Sequence, residues 1–158
     1  MKKAFQVAML AMAIMLVLST AAFAGGPADK ATGTVWRTVY GSQWEMSFNA
    51  HEAKGNRPEK GYVSTYQVDP PGGTPWTIED VECVLIEGNV AYFGGDTGLS
   101  GDWSWRAIKV IDNGEPSVDE MVYVQNMTQS EFDTWCSNPS DPSGTYDVYA
   151  GNVKVHTR

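Results

Sequence analysis

The segment 81-VECVLIEGNVAYFGG-95 and its continuation 103-WSWRAIKVIDNGEP-116 decide the fold class of this chain. Short apolar runs alternate in it with the turn sequences Gly88-Asn89 and Asn113-Gly114, and Gly and Asn tolerate the positive φ angles that tight hairpins need. A further apolar run follows and reaches Val124. Apolar runs of this length, separated by tight turns, predict an antiparallel β meander.

The rest of the chain extends this pattern. Residues 44–50 alternate strictly between apolar and polar, which is typical of a half-buried strand. A short helix is expected after the capping residue Thr128, and a Gly151-Asn152 turn is expected to separate two C-terminal strands. The prediction is an all-β fold of about eight or nine strands with little helix. An antiparallel β-sandwich and a flattened up-and-down β-barrel both satisfy it.

The first 24 residues predict a signal peptide. Lys2 and Lys3 precede a short apolar run, and Ala22-Phe-Ala24 has the small-x-small pattern of a cleavage site. The run is short for a helix that spans a bilayer. We therefore expect cleavage after Ala24 and a single secreted β-domain over residues 25–158, in the periplasm or outside the cell, with no transmembrane segment after cleavage.

Charge and cysteine content limit the function further. The first 24 residues hold two lysines and no acid, so their removal takes the formal net charge from −8 to −10. A domain this acidic repels nucleic acid, and we exclude a nucleic-acid partner. Cys83 and Cys136 are the two cysteines, and a secreted chain with two cysteines predicts a disulfide between them.

Four carboxylates lie close together between Asp112 and Glu120. Asp112, Glu115 and Asp119 are candidate calcium ligands, because Ca²⁺ prefers a flexible loop rich in oxygen atoms. The spacing differs from that of a helix–loop–helix calcium site, and Asp-Asn-Gly is also an ordinary turn sequence. We favour the turn, with no cofactor, and keep calcium as the alternative.

Trp36, Trp76 and His51 are the candidate ligand-binding residues. The chain has six tryptophans, and an exposed aromatic face can stack on a sugar ring. Trp44 and Trp103 alternate with other apolar residues, so we assign these two to the core. Catalysis by His51 would require a shifted pKa in a concave pocket, but the chain has neither a Gly-x-Ser-x-Gly nor a His-Glu-x-x-His motif. No catalytic residue is therefore assigned.

Several short pieces combine into a recognisable set. They are FNAHE at 48–52, KG at 60–61, VEC at 81–83, GNVA at 88–91, GG at 94–95, and DNGEP at 112–116 followed by Asp119. In this combination the chain resembles a family of uncharacterised bacterial secreted β-domains. The resemblance implies an extracellular β-domain and supplies no activity.

The sequence thus favours a non-catalytic secreted domain that binds a ligand or has a structural role, with a glycan, a cell-surface component or a small molecule as partner. One alternative is a small secreted hydrolase that uses His51 or a pair of carboxylates. The other is a barrel-type carrier of a small apolar ligand, which requires an internal cavity.

Overall fold

The computed structural model describes residues 28–70, 72–114, 119–141 and 145–157, and these form nine strands and one helix. The all-β class and the strand number are confirmed, while the predicted signal peptide lies outside the described residues. The elements are β1 Lys30–Val39, β2 Ser42–His51, β3 Lys60–Asp69, β4 Trp76–Ile78, β5 Cys83–Glu87, β6 Val90–Asp96, β7 Trp105–Ile111, β8 Glu120–Met127, α1 Gln129–Ser137 and β9 Thr145–His156.

The strands form two meanders joined by the last strand. The hydrogen-bonded order is β4-β3-β2-β1-β9-β8-β7-β6-β5, and the neighbouring pairs are antiparallel. Thr145 to Asp147 of β9 pair with β8, and Val148 to His156 pair with β1. The sheet does not close into a barrel, and its two halves pack face to face as a sandwich.

The hydrophobic core lies between the inner faces of the two halves. The rings of Phe48 on β2 and Phe93 on β6 meet across it, with centroids 5.1 Å apart. Strict alternation along the strands places these side chains inside and polar ones outside. The buried members of this core are Ala31, Val35, Met46, Phe48, Ala50, Val63, Ile78, Val81, Val84, Ile86, Ala91, Phe93, Ile108, Val110 and Val153.

Helix α1 covers the outer face of the β5–β8 half. A capping box starts the helix as predicted, because Thr128 and Glu131 exchange side-chain-to-backbone hydrogen bonds. Phe132 and Trp135 are buried in a second apolar cluster with Ala107 on β7. The predicted disulfide between Cys83 and Cys136 is confirmed, with a Cα–Cα distance of 5.8 Å, and it joins the end of α1 to β5.

Two local predictions are wrong. Trp103 is 53% exposed and precedes β7, which begins at Trp105, so it is not a core residue. Gly151-Asn152 does not turn the chain, because β9 continues through it and pairs Gly151 with Val35 and Asn152 with Thr34. Gly151 has φ +121°, and a Cβ there would collide with the Thr34 carbonyl oxygen. The glycine permits a close approach of two strands.

The other half of the sandwich differs in its outer face. In the described part of the chain, α1 packs on β7 and β8, and no helix or strand is stacked on the outside of β3, β2, β1 and β9. The side chains that point outward from these four strands are therefore available to a ligand.

Removing the disulfide tests how firmly α1 is attached. Replacing both cysteines, Cys83→Ala with Cys136→Ala, should lower the free energy of unfolding by about 4 kcal/mol, because the bond closes a loop with a sequence separation of 53 residues. Urea denaturation of the oxidised protein and the double variant measures the difference. Reduced wild-type protein should have the same urea midpoint as the double variant. Equal urea midpoints for oxidised and reduced wild-type protein would contradict this account.

Candidate functional site

Strand register aligns four basic side chains across the uncovered face. Lys30 on β1 lies directly opposite His51 on β2 and directly opposite His156 on β9. His51 in turn lies opposite Lys60 on β3. Residues directly opposite each other in an antiparallel ladder point to the same side of the sheet. His156, Lys30, His51 and Lys60 therefore form one line across four strands, which we call the cation row.

The cation row lines a cavity of about 560 Å³. Arg57 and Glu52, from the β2–β3 connection, complete the charged part of its lining. Three side chains with permanent positive charge thus face a single carboxylate, and Glu52 Oε1 accepts the Ile86 backbone N–H at 3.3 Å. The cavity is a local positive region in a chain with a formal net charge of −8. A local positive region favours anions over cations.

The histidine at the centre of the row has an altered proton affinity. Partial burial lowers the pKa of His51, and the positive charges of Lys60 and Lys30 lower it further. The imidazole is therefore mostly neutral at pH 7 and offers one donor and one acceptor nitrogen. An anion bound in the cavity would oppose the effect of the two lysines and favour the protonated ring.

A second line of side chains continues the face next to the cation row. Thr32, Asn49, Tyr62 and Lys154 each lie two residues from a member of the row and are in register with one another. Together with Trp36 they line an open groove of about 600 Å³, which we call the polar groove.

The predicted ligand-binding residues fall into two places. His51 and Trp36 share the outer face, the first in the cation row and the second at the far end of the polar groove. Trp76 lies elsewhere, since it pairs with the inward-facing Thr65 and packs against the core. The Arg106 guanidinium stands 5.6 Å from the centroid of its ring, in a smaller cavity of about 360 Å³.

The candidate calcium residues bind backbone groups. Asp119 Oδ2 accepts the buried Val153 N–H at 2.7 Å, and Asp112 Oδ2 accepts the Val155 N–H at 3.0 Å. Their other oxygens accept backbone N–H groups of the turn. Asp119 Oδ1 accepts the Asn113 N–H, and Asp112 Oδ1 accepts the Gly114 N–H. Glu115 lies outside the described residues, and no group of three potential metal ligands is found among those that are described. The two aspartates thus attach the β7–β8 connection to β9.

Sequence reasoning identified His51 of the cation row and Trp36 of the polar groove as ligand-binding candidates, but did not single out Lys30, Lys60 or His156 for this role. Lys60 could have been found by pairing β2 with β3 across their connecting loop. Lys30 could have been found in the same way, by extending the β1–β2 hairpin until Lys30 faces His51. His156 could not, because it joins the row only where the last strand returns to the first. No local pattern in either segment signals that pairing.

The chain was compared with protein-family models, with curated proteins and with solved structures, and nothing matches. The resemblance to secreted β-domains therefore stays a prediction. Among the described residues, no helix has the length and hydropathy needed to cross a bilayer.

The role of the aspartates can be separated from calcium binding. Asp119→Ala should lower the free energy of unfolding by about 2 kcal/mol or more, because it leaves the buried Val153 N–H without its charged acceptor. Asp102→Ala removes the same charge from an exposed loop and is the matched control. In thermal melts, wild-type protein should have the same midpoint in EDTA and in millimolar Ca²⁺. A midpoint raised by Ca²⁺ and lowered again by chelator would establish a calcium site instead.

The titration of His51 gives a second test. The folded chain should release the His51 proton at a lower pH than the unfolded chain, because burial and the two lysines oppose its charge. The unfolded state then binds more protons, so the His51 contribution to stability falls as pH drops from the ordinary histidine value towards the lowered one. Histidine-detected NMR against pH measures this midpoint. Replacing Lys30 and Lys60 by Gln should raise it, and a midpoint at or above the ordinary value in wild type would refute the assignment.

Proposed function

We propose that this protein is a non-catalytic secreted binding domain that holds an anionic ligand at the cation row. One observation carries the proposal. Each of four neighbouring strands contributes one basic side chain to the same cavity of about 560 Å³, although the chain as a whole is strongly acidic. Local charge of the opposite sign to the net charge indicates a surface that selects a ligand.

Secretion is part of the proposal. It is supported by the signal-peptide pattern of the first 24 residues and by a disulfide of the kind that persists in oxidising compartments. In the periplasm or outside the cell, the domain would meet small anions and the acidic groups of surface polymers.

Binding is favoured over catalysis by what surrounds His51. A hydrolase would need a carboxylate that orients the imidazole or a nucleophile beside it. Glu52 is the one acidic side chain among the described residues that line the cavity, and its Oε1 atom is bonded to the β5 backbone. Both cysteines are in the disulfide, so neither is a thiol nucleophile.

The hydrolase remains a second candidate, because one observation favours it. His51 lies in a concave pocket and its pKa is lowered, so at neutral pH the imidazole could accept a proton from water. The third hypothesis, a barrel-type carrier of a small apolar ligand, requires a closed barrel around an internal cavity. It is disfavoured, because the sheet does not close into a barrel.

The test is calorimetric titration of residues 25–158 with inorganic phosphate and with glucuronate, and with glucose as the uncharged comparison. Both anions should bind, glucose should not, and affinity should fall as salt is raised. Lys30→Gln should weaken binding about tenfold, because it removes a charge next to the anion. Lys109→Gln removes the same charge on the α1-covered half, where Lys109 pairs with the exposed Asp141, and should leave the affinity unchanged.

Two results would contradict the proposal. One is the absence of anion binding, or binding that is equally strong in the Lys30 variant. The other is steady hydrolysis of nitrophenyl esters that is lost in His51→Gln, which would make the protein a hydrolase.

A further inference from the structure

We propose that the anionic ligand is a short oligosaccharide with an acidic group at one end. The acidic group would occupy the cation row, and the neutral sugar rings would extend along β1 and β2 through the polar groove to Trp36. This inference rests on the proposed function and specifies the ligand class of the same site.

The cation row and the polar groove form one continuous surface. Lys30, Thr32, Thr34 and Trp36 alternate along the outer side of β1, and the residues opposite them on β2 and β9 share that side. Six residues of extended strand separate Lys30 from Trp36, which corresponds to about 20 Å. The two cavities have volumes of about 560 and 600 Å³ and line consecutive stretches of this path. The path suits an elongated ligand several rings long.

The middle of the path consists mainly of hydroxyl and amide groups, and Lys154 of β9 adds one positive charge beside Thr32, at the end nearer the cation row. Thr32 lies opposite Asn49, and Thr34 lies opposite Ser47, with 2.9 Å between the Thr34 and Ser47 hydroxyl oxygens. Tyr62 borders the groove from β3 and is 48% exposed. Such side chains both donate and accept hydrogen bonds. The hydroxyl groups of a sugar have the same dual capacity, so the two surfaces complement each other.

The far end of the path is aromatic and negatively charged. Trp36 lies on the wall of the groove, and aromatic faces pack against the apolar face of a pyranose ring. Directly opposite Trp36 on β2 is Glu45, whose carboxylate accepts a hydrogen bond from the Tyr66 hydroxyl at 2.7 Å. An acidic group at this end would be repelled. The charges therefore orient the ligand, with its acid at Lys30 and a neutral ring at Trp36.

The same features disfavour other anions of this length. An extended peptide binds a sheet through a free strand edge, but β1 and β2 are interior strands whose backbones pair on both sides. A long polyanion would meet Glu45 and the net negative charge of the chain. An acidic oligosaccharide needs only side-chain contacts, and this face presents those.

The experiment is calorimetric titration with four probes at one ionic strength. They are a neutral-pyranose tetrasaccharide with a single terminal glucuronate, the same tetrasaccharide without the acid, glucuronate alone, and a hexaglutamate peptide. The acidic tetrasaccharide should bind at least tenfold more tightly than glucuronate, and the neutral one should bind more weakly than either. Trp36→Ala should lower the affinity for the acidic tetrasaccharide about tenfold, and Trp36→Phe should retain most of it.

Trp103→Ala is the matched control, because Trp103 is exposed and lies outside the path, and it should change nothing. Circular dichroism and a thermal melt verify that each variant is folded. Equal affinities for the acidic tetrasaccharide and glucuronate would overturn the oligosaccharide inference and leave anion binding intact. Tighter binding of hexaglutamate would make the ligand an acidic peptide, and failure of every anionic probe would overturn both proposals.

Discussion

The Asp119 carboxylate accepts the Val153 backbone N–H where β9 has left β8 and continues beside β1. From that point none of the described strands pairs with the edge of β9 that faces away from β1. A buried N–H without a partner costs about 1–3 kcal/mol. Asp112 accepts the next N–H on this edge, the partly buried one of Val155. Because β9 is the strand shared by the two halves, these carboxylates satisfy two of its backbone N–H groups where the nine-stranded order separates into two packed layers.

This arrangement of β9 also shapes the outer face on which we propose that the ligand binds. The part of β9 held by the two aspartates carries Lys154 and His156 to the outer face, beside Lys30 and Thr32 of β1. The β5–β8 half has its outer face covered by α1 and fastened by the disulfide. The other half keeps an uncovered face of charged, hydroxyl and aromatic side chains. One layer thus has a helix packed on its outer face, and the outer face of the other has none among the described residues.

Features that depend on neighbouring residues were predictable from the sequence. The alternation in 44–50 gave the buried face of β2, and Thr128 with Glu131 marked the start of the helix. Features that depend on distant segments were not. The spacing of Asp112 and Asp119 favoured a turn or a calcium loop, and nothing in it revealed that the backbone of β9 returns to meet them. The place of His156 in the cation row was hidden for the same reason, since β9 reaches β1 only at the end of the chain, whereas Lys30, His51 and Lys60 lie on consecutive hairpin strands.

The measurement that tests the account most directly is a two-dimensional amide NMR titration of residues 25–158 with the acidic tetrasaccharide. We predict that the perturbed residues form one path on the outer face, from Lys30 and His51 through Thr32 and Asn49 to the Trp36 indole. Signals from β6 and α1 should not move. Perturbations centred on the α1-covered half, or on the cavity beside Trp76, would contradict the claim that this protein binds its ligand on the uncovered face.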